Sequence, residues 1–442
     1  MEAATLTAGS YERFLFGYRA QPAAGGAAEN GKPTLDRCFT YAAHQGSVKC
    51  VTAVGNFIAS GGADDLIHVY DLNSGADLGF LMHPGYGAIT CLDSFTPPES
   101  PVPTHLLSGG EDGVVNVWQA GGEWEHLQSM TGHKAAVSSV ALHPSGRVAM
   151  SVGLDAGLRL WDLARGKTSY CSMLAARGEA VAWAQGGETY CLLMAGKLVA
   201  RSIVGEGATL ASFETPRRQI SLLTDGDNTA VTGAEDGGLR VWDIATGSLK
   251  IEVPRAHGAR VRAIVALPGG ATTPDGFPAH LASASTDGVL KLWDVRMMGS
   301  GGRAACALAE VATTARLTCL AASPHPARLK EMAQAQAQAD KAGEADKKRR
   351  LAQRLEAKAK AAAGQPTEGA KQQQNMFEVV PQEAPRGKKG SAKPGAKGDP
   401  PVAAGGVRKG GGKGPGRAEA KGGKGFKGPG SGSGKAGKRR VL

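Results

Sequence analysis

Three sets of residues in this sequence have the types that hydrolytic chemistry needs. His133, Ser151 and Asp155 stand with Trp161, His257, Ser283 and Asp287 with Trp293, and His44, Ser60 and Asp64 with Tyr70, a phenol in place of an indole. A serine activated by a histidine that an aspartate orients is the arrangement of acyl-transfer nucleophiles. Such a triad serves one cleft and has no reason to occur three times. Two further sets, Ser108, Asp112 and Trp118, and Thr232, Asp236 and Trp242, keep the spacing without the histidine: Pro216 takes its place in the second, and in the first His83 lies two residues too far upstream. Repetition at fixed offsets points to structural hydrogen bonding, which rigidifies a buried element only when every member has a partner. No catalytic residue is expected.

The elements that position these residues follow from their spacing. Aligned on the aromatic residue, the sets stand at Tyr70, Trp118, Trp161, Trp242 and Trp293, at intervals of 48, 43, 81 and 51. The interval of 81 is nearly twice a repeat period of roughly 40 to 45 residues, so a unit lacking the aromatic is expected between Trp161 and Trp242. The stretch from Thr131 to Lys167 shows one unit complete. It has an apolar alternation at Val137 to Leu142, a turn at His143-Pro144-Ser145-Gly146, a second alternation at Arg147 to Val152, a tight turn at Asp155-Ala156-Gly157 and a third strand ending Leu160-Trp161-Asp162. Short runs punctuated by Gly, Pro, Asp and Ser are the signature of antiparallel hairpins. One such unit cannot bury its own apolar face, so the units must stack.

This unit resembles a WD repeat, and the resemblance implies that the Trp, Ser or Thr, His and Asp link the strands within a blade. The expected fold class is all-β: a seven-bladed WD40 β-propeller closed by N-terminal strands and followed by a disordered basic C-terminal tail. Repeats fall near residues 44–79, 83–121, 131–167, 177–207, 216–247 and 257–296. The fourth lacks both Asp and Trp and should lean on apolar packing. Ser10 to Ala20 (SYERFLFGYRA) and Phe39 to Ala43 read as strands. They are expected to pair with Arg316 to Ala322 in a composite closing blade, residues 10–43 with 314–323, which removes the exposed edges of the ring. The propeller is expected over residues 1–323, an Ala/Lys-rich segment of helix formers over 324–363, and the disordered tail over 364–442.

The formal net charge of +11 is unevenly divided. From Pro324 onward the chain carries 27 Lys and Arg against 10 Asp and Glu, whereas residues 1–323 carry 24 against 30. The basic balance is thus a property of the tail. Its clusters, Lys347-Lys348-Arg349-Arg350, Arg386-Gly387-Lys388-Lys389 and Lys438-Arg439-Arg440, are candidates for nuclear import and RNA contact. With Phe426 as a lone late aromatic, base stacking contributes little, so RNA affinity should be electrostatic and steeply salt-dependent. An apolar island at Met376 to Val380 is a candidate docking motif.

Other chemistries find little support. Arg165-Gly166-Lys167-Thr168 has the end of a phosphate loop, but Trp161 occupies the place of its first Gly and the segment leaves a strand for a hairpin turn. The seven Cys are scattered without metal or redox spacing. Neither a metal nor a cofactor is expected. The first residues lack the basic start and apolar core of a secretory signal. No run approaches the roughly 18 apolar residues of a membrane span, so no membrane partner is expected.

Several stretches resemble one family in particular: Ser10 to Arg19, Ala88 to Leu92 (AITCL), Leu107 to Trp118 (LSGGEDGVVNVW), His143 to Lys167, and Arg316 to Leu320 (RLTCL) before a basic tail. It is the p21-activated-kinase-interacting WD-repeat proteins, also known as the maintenance-of-killer family of ribosome-assembly factors. The resemblance implies a non-catalytic nucleolar protein of the nucleus, needed for large (60S) ribosomal subunit assembly and pre-rRNA processing. Its partners would be pre-60S assembly factors, ribosomal proteins and, through the basic tail, pre-rRNA. The family's second role implies an alternative, negative regulation of a p21-activated kinase by direct binding. A histone- or chromatin-binding propeller is the remaining alternative.

Overall fold

Each unit contributes a first strand with buried apolar residues, and each first strand packs against those of the units on either side. In the computed structural model these inner strands are Val48–Val54, Ile89–Phe95, Val137–Leu142, Gly178–Trp183, Gln219–Thr224, Val261–Ala266 and Leu317–Pro324, and they close a ring. Three more antiparallel strands extend outward from each, so that seven four-stranded sheets make a seven-bladed β-propeller. The structure describes residues 2–325 apart from 23–31, 98–101, 123, 185, 205–206, 225, 227, 274–275 and 299–305, with isolated positions 328, 331, 334, 341 and 349 beyond.

The core is distributed among the blades. Seven buried apolar clusters each bridge two neighbouring blades, and the tryptophans belong to them. Trp118 packs with Ile67 and Val69 of the first blade, Trp161 with Val115 and Val117 of the second, and Trp293 with Val231 and Val241 of the fifth. The second strand of a blade is buried along nearly its whole length, as in Thr229–Ala234 and His280–Ser285, while the outer strands Ala76–Met82 and Lys167–Met173 are largely exposed. Hydroxyls on inner strands stitch the same seams. Thr90 Oγ1 donates to Val137 O at 2.5 Å, Thr224 Oγ1 to Trp183 O at 2.8 Å and Thr318 Oγ1 to Val48 O at 2.7 Å.

The fourth unit, which has neither Asp nor Trp at the repeat positions, forms a complete sheet. Its outer strand Thr209–Glu214 extends beyond the expected end at Gly207. A different tryptophan holds it: Trp183 Nε1 donates to Ala141 O of the third blade at 3.0 Å, and its ring packs on His143 and Tyr190. In the sixth blade the outer strand is Ala309–Ala312, past the expected end at Arg296. The Gly/Pro-rich stretch 268–278, between this blade's first strand Val261–Ala266 and its second strand His280–Ser285, buries Phe277 in the cluster between the fifth and sixth blades.

The closing blade is the expected composite of N-terminal strands with Leu317–Pro324, but the pairing within it differs. The strand beside Leu317–Pro324 is Ala4–Ser10, so of the Ser10–Ala20 segment only Ser10 pairs with it directly, and the Phe39–Ala43 segment does not. The order continues outward through Phe14–Gln21 to Thr34–Ala42. Ala4–Ser10 (ATLTAGS) is buried at every position because it lies between two strands. Small residues fit there, and for the same reason they give little hydrophobic signal in sequence.

Candidate functional site

The third blade brings the four predicted residues together. An indole only donates and a carboxylate only accepts, so the bond directions are fixed. Trp161 Nε1 donates to Ser151 Oγ at 2.8 Å, Ser151 donates to His133 Nε2 at 2.7 Å, and His133 Nδ1 donates to Asp155 Oδ1 at 2.9 Å. Asp155 also accepts the N–H groups of Lys134, at 2.9 Å, and of Gly157, at 3.0 Å. Burial pushes its carboxyl upward, but these N–H groups and His133 outweigh burial and leave it below the ordinary range. Burial depresses His133, against the pull of Asp155, so the neutral ring with its proton on Nδ1 is the form that fits.

The other blades carry graded versions. In the first, His44 joins Ser60 and Asp64 at 2.9 Å each, but Tyr70 makes no hydrogen bond to Ser60. A phenol hydroxyl projects from the tip of its ring, whereas an indole N–H projects from its side. The Tyr70 ring stacks instead on Phe39 and Tyr41 of the closing blade, at 5.0 and 5.4 Å. In the sixth, Trp293 and His257 both bond Ser283, but Asp287 lies 3.8 Å from His257 Nδ1, which is buried without a hydrogen-bond partner among the described residues. Burial lowers His257 to about 4. In the second blade the network is split. Trp118 donates to Ser108 at 2.9 Å, while the displaced His83 reaches Asp112 at 3.2 Å and Asn116 at 3.1 Å.

Gln219 takes the part of the missing histidine in the fifth blade. It accepts from Thr232 Oγ1 at 2.8 Å, and Thr232 accepts from Trp242 Nε1 at 2.8 Å. Asp236 pairs with Arg240 at 3.1 Å, separate from that chain. The sequence signal for Gln219 was its position, since it opens an inner strand where Val48, Ile89, Val137 and Val261 open theirs.

This geometry cannot support nucleophilic catalysis. Ser60, Ser151 and Ser283 have no exposed surface, so no substrate carbonyl can reach their oxygens. Arg165 to Lys167 lies on a hairpin turn between two strands and offers no helix N-terminus. His44, Asp64 and His68 bring three metal-ligand atoms within 4.8 Å of one another. Both ring nitrogens of His44 are committed, however, to Ser60 and Asp64. Of the tail positions named above, Arg349 alone falls among the described residues, as an exposed helical position. Lys347, Lys348, Arg350, Arg386, Lys388, Lys389, Lys438, Arg439, Arg440 and the Met376 to Val380 island lie outside them.

Comparison with known proteins agrees with the geometry. The WD40 family, "WD domain, G-beta repeat", matches residues 36–71, 79–119, 124–162 and 249–294. Each match starts in or just before the outer strand of one blade and ends at the third strand of the next, an offset that ties neighbouring blades together. The WD40 repeats of RRP9 superimpose with a TM-score of 0.53 at 20% identity, covering 63% of this chain and 84% of that one. Shk1 kinase-binding protein 15 of Schizosaccharomyces pombe is 25% identical over 58% of this chain and 70% of its own length. Protein MAK11 of Saccharomyces cerevisiae is 35% identical over 26% of this chain and 30% of its own. The p21-activated protein kinase-interacting protein 1-like protein of Danio rerio is 34% identical over 76% of this chain and 84% of its own. With the blade networks in place and a match of that extent, the chain belongs to the p21-activated protein kinase-interacting protein 1-like family of WD-repeat proteins.

Proposed function

We propose that this protein is a non-catalytic nucleolar scaffold in large ribosomal subunit assembly and pre-rRNA processing, holding assembly factors on its propeller and pre-rRNA on its tail. The observation that carries the reading is the division of charge. An acidic ring with 24 basic and 30 acidic residues is joined to a tail with 27 and 10. The first suits selective protein contacts and the second suits sequence-tolerant contact with a polyanion. Burial of every network serine supports a binding role over an enzymatic one. Exposed Phe80, Met82 and Tyr86, on the outer strand of the first blade and the loop after it, provide apolar surface for a partner.

The test is affinity purification of the tagged full chain at moderate salt, with identification of bound RNA and protein. Recovery of large-subunit precursor rRNA with assembly factors is the expected outcome, and its absence overturns the reading. The relatives' names favour one second reading, binding of a p21-activated kinase. Recovery of such a kinase without precursor rRNA would support it. Recovery of histones instead would point to chromatin.

A further inference from the structure

The inner strands share one irregularity. In every blade the ladder to the second strand skips the inner strand's second residue, among them Thr90, Glu179, Arg262 and Thr318. A bulge leaves that residue out of the ladder and re-aims its side chain. At three of these positions the side chain is satisfied across the seam to the next blade. Thr90 and Thr318 bond carbonyls there, and Glu179 holds Arg218 through contacts of 2.8 and 2.9 Å. Arg262 occupies the same register, half-buried, and among the described residues its guanidinium has neither an ion pair nor a hydrogen bond. Burial works most strongly against its protonated form, with Cys319 and Glu179 opposing and Arg260 and Arg218 adding to it, yet a guanidinium does not give up its proton in a protein. A partly desolvated cation in this position has a strong need for an anion.

A second observation lies on the same face. The residue just before the inner strand is an arginine in four consecutive blades, Arg177, Arg218, Arg260 and Arg316, while the other three blades have Ser47, Ala88 and Ala136. All four arginines are exposed. Nearby acids compensate them in part, with Arg260 3.7 Å from Glu235 and Arg316 3.0 Å from Glu12. Where the sixth and closing blades meet, a cleft of about 340 Å³ is lined by Arg260, Arg262, Arg316, Thr286, Thr318 and Tyr11. The Arg316 guanidinium sits 4.2 Å from the centre of the Tyr11 ring, which fixes one wall.

We propose that this cleft is a carboxylate-binding site, in which Arg262 flanked by Arg260 and Arg316 receives an acidic side chain from a Glu/Asp-rich segment of a partner protein. Arginine suits the task because its planar fork matches a carboxylate with two parallel hydrogen bonds. A nucleic acid is a poorer fit. The ring as a whole carries more acidic than basic residues, and one face of Tyr11, the cleft's aromatic ring, is already taken by Arg316. The inference rests on the propeller's being a protein-binding scaffold, but not on which particle or kinase it serves.

The experiment measures binding of a short fluorescein-labelled oligoglutamate to the full chain by anisotropy at physiological salt, in competition with unlabelled oligoglutamate or an RNA oligomer. Arg262→Gln should weaken binding at least about tenfold, and Arg262→Lys by less. A tail variant with Lys438, Arg439 and Arg440 changed to Gln should leave the Arg262-dependent part intact. Hydrogen exchange on the wild-type chain should show protection at 260–262 and 316–318 when the peptide is added. Equal affinity of the wild type and a folded Arg262→Gln variant overturns the proposal. So does binding abolished by the tail variant, protection confined to other blades, or RNA displacing the peptide from the cleft. Failure of the purification above to yield ribosomal precursors leaves this result standing, so the two readings fail separately.

Discussion

Ser151 accepts a hydrogen bond from Trp161 and donates one to His133 with none of its surface exposed, which is why a set of residues able to hydrolyse an ester holds a blade together instead. The types and offsets were legible in the sequence, but the quality of each network was not. Tyr70 misses Ser60 because of where its hydroxyl sits on the ring, and Gln219 substitutes from another chain position. Asp155→Ala should cost about 1 to 3 kcal/mol by orphaning His133 and two N–H groups. Asp287→Ala should cost less, since His257 Nδ1 has no bond to lose there. Thermal unfolding of the two variants checks the order. Acidification gives a second test. His257 titrates at about 4 in the fold against 6.5 as its ordinary value, so between these the unfolded chain binds more protons. The stability it confers is therefore present above 6.5 and lost as pH falls towards 4. Asp93, which burial raises to about 6, acts in the opposite sense. A comparison with His257→Gln removes that contribution: from neutral pH to mildly acid pH the wild type should lose stability relative to the variant. Parallel melting-temperature curves would refute the assignment.

At the scale of elements, closure of the ring depends on Ala4–Ser10, which pairs with Leu317–Pro324 on one side and Phe14–Gln21 on the other. Removing residues 2–10 should expose the edge of the last inner strand and replace cooperative unfolding with aggregation. A chain that still melts in one sharp transition would show that the ring closes some other way. Within this strand Thr7 is fully buried and its hydroxyl has no partner among the described residues. Thr7→Val keeps the shape and removes an unsatisfied polar atom, so its melting temperature should hold or rise. Repeats with a turn and an aromatic at fixed spacing could be placed from sequence. The N-terminal strand could not, because small residues announce burial only once their neighbours are known. The outer strands Thr209–Glu214 and Ala309–Ala312 were missed for a related reason: an exposed edge strand carries little apolar pattern.

For the whole molecule, the charge division separates what the ring and the tail can each bind. If the tail carries the RNA contact, changing its basic clusters to Gln should lower RNA affinity. It should also flatten the plot of log affinity against log salt by roughly 0.7 for each lost contact to a single strand. An unchanged slope would move the contact onto the propeller. Changing Arg262 should leave that slope alone and act on acidic peptide. The linear chain by itself determined the number and order of the blades and the asymmetry of charge, because these depend on composition and on periods that local hydrogen bonding imposes. Only the tertiary structure decided which strand closes the ring and which networks are complete. It also decided that Arg316 of the closing blade meets Arg260 and Arg262 of the sixth in one cleft, since the two groups are more than 50 residues apart in the chain and meet only when the inner strands close into a ring.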